Sequence, residues 1–79
     1  MNWKDYIVVD NNILLGKPTI KNTRLSVEFI LGLFAAGWDR KTILENYPTL
    51  SNEAINAVFS FSLECMQDEA FFSISKSAA

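Results

Sequence analysis

Three helix starts of the same design constrain this chain more than any other feature of its sequence. Each contains a residue that caps helices well: Ser26, Asp39 and Ser51. Such side chains accept hydrogen bonds from the free N–H groups of a first helical turn. Each cap is also flanked by two apolar residues at the spacing of a hydrophobic staple, namely Leu25 with Ile30, Trp38 with Ile43, and Leu50 with Ile55. The sequence therefore predicts three helices.

Glycine and proline mark where the first two of these helices end. Gly37 predicts the end of the first helix, residues 27–36, as a left-handed residue with Trp38 packed back on the last turn. Pro48 disfavours helical geometry at Tyr47, so the second helix covers about residues 40–46. The third begins after Ser51. The connections are about two and four residues long, which makes the helices turn sharply against one another, as in a helix-turn-helix domain.

A shaped basic loop precedes the first helix. Gly16 can adopt a positive φ, Pro18 fixes its own φ, and Asn22 is a common residue in left-handed turns. A loop of fixed conformation that displays cations is a plausible anion or phosphate site. Its cations are three of the seven basic side chains, with no acid between Asp10 and Glu28: Lys17, Lys21 and Arg24.

A short β element is expected at the N-terminus. Residues 7–9 are β-branched and run into turn chemistry at residues 10–12. This strand has three possible partners: the apolar residues 13–15, Thr19-Ile20, or Arg24-Leu25. The sequence alone does not choose among them.

Size and composition favour a partner. The chain has 79 residues, of which 49% are hydrophobic, and small domains bury a low fraction of their surface. We therefore expect a homodimer or a bound protein, with a compact monomer as the alternative. The aromatic residues Phe29, Phe34, Trp38, Phe59 and Phe61 are expected in the main core or in a dimer seam.

The available chemistry argues against an enzyme. The chain has no His and a single isolated cysteine, Cys65, so we expect neither His- or Cys-centred catalysis nor a transition-metal site. Its carboxylates form no paired motif, and Pro18 after Lys17 is incompatible with a P-loop. We expect no cofactor. Cys65 is interpreted as a packed thiol or one that faces a partner. No apolar run of membrane-spanning length and no signal peptide is present, which predicts a cytoplasmic protein.

Charge divides the chain into two halves. The net charge is −2, but residues 1–45 hold six basic and five acidic side chains, whereas residues 46–79 hold one and four. Any DNA contact is therefore expected from the first half, where the candidate residues are Lys17, Lys21 and Arg24. Arg24 has a structural alternative, in which it bonds loop carbonyls or pairs with Asp10.

The third helix would be the recognition helix of such a domain. Its exposed first turn would offer Asn52 and Asn56 to base edges, since asparagine can read adenine. Glu53 in the same turn repels phosphate, and no basic residue lies nearby in the sequence.

The C-terminal segment, residues 67–79, is separated from a domain of residues 1–66. One interpretation continues the third helix to about Ala70, after which it frays. The other is a partner-binding tail, because a chain end would otherwise expose large apolar groups. The candidate partner-binding residues are Asp68, Glu69, Phe71, Phe72 and Ile74.

The loop also carries a family resemblance. The pattern Gly16-Lys17-Pro18-x-Ile20-x-x-Thr23-Arg24-Leu25-Ser26-Val27, followed by Ala35-Ala36-Gly37-Trp38 and Tyr47-Pro48-Thr49-Leu50-Ser51, resembles a family of small bacterial antitoxin-like proteins, formerly a domain of unknown function. The resemblance covers residues 5–64. It implies a homeodomain-like or winged-helix-like domain, often encoded beside a PIN-like ribonuclease toxin. The family usually has Gly-Gly where this chain has Leu15-Gly16, and Gly-Thr-Arg where it has Asn22-Thr23-Arg24.

Two functional hypotheses follow. The first is a non-enzymatic, antitoxin-like DNA-binding protein that neutralises a PIN-like ribonuclease toxin and regulates its own promoter. The toxin rests on the resemblance alone. The alternative is a protein-interaction module that has the helix-turn-helix shape but does not bind DNA.

Overall fold

A computed structural model describes residues 2–68, which form three helices and a short two-stranded sheet. This confirms the prediction of a mainly α protein with three helices and an N-terminal β element. The elements in chain order are β1 (Ile7–Val8), β2 (Thr19–Ile20), α1 (Val27–Ala35), α2 (Arg40–Asn46) and α3 (Asn52–Met66).

All three predicted caps form. Each capping side chain accepts a hydrogen bond from the backbone N–H three residues later, which satisfies a donor that has no partner within the helix. The bonds are Phe29 N–H to Ser26 Oγ at 2.9 Å, Thr42 N–H to Asp39 Oδ1 at 2.8 Å, and Ala54 N–H to Ser51 Oγ at 3.1 Å.

The helix ends differ slightly from the prediction. α1 is one residue shorter and ends in the expected Schellman motif: Gly37 has φ 97°, and the Trp38 N–H donates to the Leu33 carbonyl at 3.0 Å. α3 ends at Met66, so the continuation to about Ala70 is wrong. The N–H of Gln67 closes the last turn, and the negative charge of Asp68 is unfavourable at the negative end of a helix dipole.

The sheet resolves the three-way choice for the N-terminal strand. β1 pairs antiparallel with β2, with Ile7 opposite Ile20 and Val8 opposite Thr19. Residues 14–16 form a short helical turn instead of a returning strand. A further hydrogen bond joins the basic loop to the start of α1: the Val27 N–H donates to the Pro18 carbonyl at 2.9 Å.

The core is aliphatic. Ile30, Ile43, Ile55 and Val58 are completely buried and join all three helices. The aromatic side chains lie around this centre: Phe34 and Phe61 pack on it while half-buried, and Phe29, Trp38 and Phe59 are exposed. Of the two expected places for these three aromatics, the main core is therefore wrong, and the dimer seam stays a prediction.

The N-terminal residues pack against α3. A short 3₁₀ turn, Trp3–Asp5, places the Trp3 ring edge-on to Phe61 with centroids 4.8 Å apart. The Trp3 indole N–H donates to the Glu64 carboxylate. This anchor fixes the chain before β1 on the C-terminal half of α3.

Candidate interaction surfaces

The basic loop has the fixed shape that its sequence predicts. Asn22 is left-handed, with φ 64°, at the tip of a turn in which the Ile20 N–H donates to the Leu25 carbonyl at 2.9 Å. The Thr23 hydroxyl donates to the Ile20 carbonyl at 2.8 Å and accepts from the Leu25 N–H at 3.0 Å. These bonds hold the backbone of the loop without any ligand.

A second turn lies at the start of the basic loop, and only the positive φ of Gly16 in it was predicted. Leu14, Leu15 and Gly16 have consecutive positive φ values of 49°, 58° and 83°. The left-handed conformation suits glycine but costs other L-residues roughly 1–2 kcal/mol each. A Cβ at Gly16 would approach only the end of the flexible Asn11 side chain, so the positive φ, and not a lack of space, is what favours glycine here. The turn leaves the Leu15 side chain at its tip, with 94% of its surface exposed.

The three loop cations have different surroundings. Lys17 Nζ lies 3.2 Å from Glu28 Oε1, so the acid that ends the basic stretch neutralises its first cation. Lys21 and Arg24 are exposed and make no side-chain hydrogen bond or ion pair within residues 2–68. The structural alternative for Arg24 is therefore not found: the Asp10 carboxylate instead accepts from the Asn12 N–H at 2.8 Å.

A depression between the two turns and α1 brings part of the loop together. The walls are apolar at Leu15, Leu25 and Phe29, and the Arg24 and Lys17 side chains also line the depression. Phe29 is exposed and meets Tyr47 edge-on, with ring centroids 5.7 Å apart. An exposed leucine, an exposed phenylalanine and a guanidinium thus share one surface, which we call the loop surface.

The predicted recognition helix is poor in positive charge. Asn52 and Asn56 are exposed as expected, but Arg40 of α2 donates to the Asn52 carbonyl at 3.2 Å and to its side-chain oxygen at 3.3 Å. Asn52 is therefore already held by the protein. It lines a depression with Arg40 and Lys41, separate from the loop surface. The predicted DNA-binding residues are not gathered in one depression.

An apolar groove runs between α1 and the C-terminal half of α3. Its volume is about 510 Å³, and its wall is formed mainly by hydrocarbon groups. The residues that line it are Lys17, Pro18, Val27, Glu28, Leu31, Phe61, Ser62, Cys65 and Met66. Apart from Lys17, sequence reasoning did not assign these residues a site, because only the packing of α1 on α3 brings them together.

The groove opens beside the start of the predicted tail. Asp68, the last described residue, is exposed two positions after Met66. The other candidate partner-binding residues, Glu69, Phe71, Phe72 and Ile74, lie outside the described residues.

Cys65 is exposed on the groove wall, so the interpretation as a packed thiol is wrong. Partial desolvation of the sulfur, followed by the nearby Asp68 and Glu64 carboxylates, raises its pKa above the ordinary value of 9.0. The thiol is consequently protonated at neutral pH and a poor nucleophile or metal ligand.

Residues 2–68 contain no cluster of three or more His, Cys, Asp or Glu side chains that could hold a metal ion. None of the helices in this part of the chain combines the length and apolar character needed to cross a bilayer.

The fold and its surfaces define a class: a small three-helix domain with a two-stranded sheet, a rigid basic loop and apolar interaction surfaces. The chain belongs to the family described as protein of unknown function (DUF433), whose model matches residues 7–62. Comparison with curated proteins gives no match.

A solved structure supports the same assignment. The chain is similar to a DUF433 member protein from Anabaena variabilis, whose crystal structure was determined at 2.00 Å resolution. The two share 26% sequence identity with a TM-score of 0.74, over 77% of this chain and 60% of that chain. This chain thus matches less than two thirds of the length of its structural neighbour.

Proposed function

We propose that this protein is an antitoxin-like partner of a PIN-like ribonuclease and that it acts by binding that enzyme. The identity of the enzyme rests on the family resemblance, and the surfaces described above support protein binding. We also propose that the protein is a cytoplasmic homodimer.

The apolar groove is the observation that carries the proposal. A groove of about 510 Å³ between two helices, with mainly apolar walls, is a common kind of binding site. Met66 lies on the groove wall, and Asp68, Glu69 and the apolar residues Phe71, Phe72 and Ile74 follow it in the sequence. Groove and tail would together offer a continuous apolar surface with two carboxylates, which suits a ribonuclease surface whose basic groups hold RNA.

Co-expression with the product of the neighbouring gene tests this proposal. Size-exclusion chromatography with light scattering should give a stable complex and, for the protein alone, the mass of a dimer. Deletion of residues 69–79 should abolish the complex while far-UV circular dichroism remains unchanged, because Gln67, the C-cap of α3, is retained. Undiminished binding by the shortened protein would exclude the tail as the binding element.

DNA binding is the second candidate function, in which a helix-turn-helix of α2 and α3 binds the promoter. One observation favours it: Lys21 and Arg24 are exposed on a rigid loop, which is suitable for phosphate contacts. The composition of α3 opposes it, since the helix contains Glu53 and Glu64 but no Lys or Arg.

A salt titration with a promoter fragment separates these candidates. Phosphate-driven binding weakens steeply as salt rises, and replacing Lys21 with Ser and Arg24 with Gln should flatten that dependence by about two phosphate contacts. Lys4→Ser, which removes a cation outside the loop, is the control. Binding that does not respond to salt would leave protein interaction as the better-supported function.

A further inference from the structure

We propose that the left-handed turn at residues 14–16 is a preformed docking element that inserts Leu15 into an apolar pocket of the ribonuclease, beside a carboxylate that pairs with Arg24. This inference rests on the proposed function and names a contact surface for it that is separate from the groove and the tail.

The conformation of the turn is the first argument. Two consecutive leucines adopt a backbone conformation that is unfavourable for leucine. Because the Leu15 side chain is exposed, burial in the hydrophobic core does not offset this strain. The turn is held by the Gly16 N–H to the Ile13 carbonyl at 3.0 Å and by the Lys17 N–H to the Leu14 carbonyl at 3.1 Å. Leu15 is therefore presented by a rigid backbone, which lowers the entropy lost on binding.

Charge on the same surface is the second argument. Both cations line this depression: Lys17 shares an exposed ion pair with Glu28, whereas the Arg24 guanidinium has no ion pair within residues 2–68. An arginine bordered by Leu15, Leu25 and Phe29 has the composition of an interface centre, in which apolar anchors exclude water around a charged pair. The complementary partner surface is an apolar pocket with a carboxylate at its edge.

The same features favour protein over nucleic acid as the occupant. Phosphate contacts need cations and backbone N–H groups, but they gain nothing from a fully exposed leucine next to an exposed phenylalanine. A protein pocket can bury both.

The test uses full-length protein and the co-expressed neighbouring gene product, with affinity measured by calorimetry. Leu15→Gly keeps the positive φ and removes only the side chain, so it should weaken the complex about tenfold or more without lowering the melting temperature. Leu15→Met should retain binding. Arg24→Gln should also weaken the complex and reduce its salt dependence.

Leu63→Ala is the matched control, since Leu63 is an exposed leucine that lines a different depression, with Trp3. It should bind as the wild type does. An affinity of Leu15→Gly within about twofold of wild type would overturn the docking role and leave the proposed function intact. Equal losses of affinity for the Leu15→Gly and Leu63→Ala variants would also overturn the docking role.

Two further outcomes are decisive. If no complex forms with the wild-type protein, the docking role and the proposed function both fall. If Leu15→Gly and Arg24→Gln instead weaken binding to a promoter fragment while the protein complex is unchanged, the loop surface contacts DNA and the docking role is wrong.

Discussion

Within residues 2–68, backbone strain is concentrated in the turn at residues 14–16. Leu14 and Leu15 lie in the left-handed region without burying the Leu15 side chain, whereas Gly16 and Asn22 occupy similar conformations at little cost. This chain therefore exposes an apolar side chain at a backbone position that is favourable for glycine.

Leu15→Gly should stabilise the folded protein. Relief of the left-handed strain, roughly 1–2 kcal/mol, exceeds the backbone entropy cost of glycine, roughly 0.5–1 kcal/mol, so we expect a net gain of about 0.5–1 kcal/mol. Urea unfolding followed by circular dichroism measures it. Leu15→Ala is the control and should change stability little, because alanine keeps the strain. A glycine variant less stable than the alanine variant would contradict the strain argument.

The Cys65 thiol should react slowly despite its exposure. Its raised pKa leaves less thiolate at any pH below that value, so iodoacetamide at pH 8 should alkylate native protein more slowly than protein unfolded in urea. Asp68→Asn removes one of the charges that raise the pKa and should speed the reaction, as followed by mass spectrometry. The acceleration should vanish well above the pKa, and a variant that reacts no faster at pH 8 would refute the electrostatic cause.

At the scale of elements, capping decides where the helices begin. α2 has seven residues and only Ile43 fully buried, so its stability depends strongly on its ends. The backbone N–H and then the hydroxyl of Thr42 bond the Asp39 carboxylate and lower its pKa below the ordinary value of 3.8. The ionised carboxylate is thus the form that stabilises the helix.

This cap predicts a specific loss of stability in acid. Because the folded pKa of Asp39 is depressed, its contribution is fully present above about pH 3.8 and is lost as the pH falls through the lower folded value. Asp39→Asn is the matched variant, since asparagine also caps but does not titrate in this range.

Urea unfolding of both proteins should therefore show a stability difference that is constant near neutral pH and shifts towards the asparagine variant below about pH 4. If the free energies of unfolding of the two proteins changed in parallel across this pH range, the pKa of Asp39 would be the same in the folded and unfolded states.

For the whole molecule, stability comes from a small aliphatic centre. Ile30 of α1, Ile43 of α2 and Ile55 of α3 meet there with no exposed surface, and Ile7 and Ile20 of the sheet close it. The aromatic residues enlarge the surface around this centre instead of filling it. This arrangement leaves Phe29, Trp38 and Phe59 exposed at the surface.

A pair of alanine variants tests whether the aliphatic centre contributes more to stability than the aromatic residues around it. Ile55→Ala removes a fully buried side chain and should cost about 2–5 kcal/mol, a large fraction of the stability of so small a domain. Phe59→Ala removes a larger side chain that is 40% exposed and packs on Phe34, and it should cost clearly less. Thermal unfolding of both variants measures the difference. The reverse order would place the true core among the aromatics.

Local sequence determined the helices and their limits. Ser26, Asp39 and Ser51 fix the helix starts because a cap needs only a side chain and the N–H three residues later. Gly37 ends α1, and Asn22 forms the loop turn, for equally local reasons. Exposure of the loop cations and of Asn52 and Asn56 was likewise within reach of the sequence.

Tertiary packing decided the rest. Four features join residues that belong to different elements. They are the pairing of β1 with β2, the Lys17–Glu28 ion pair, the hydrogen bonds from Arg40 to Asn52, and the groove between α1 and α3. Local periodicity cannot specify such contacts, because it describes one element at a time. Even the left-handed Leu15 depends on neighbours that hold the turn, since its own preference opposes that conformation.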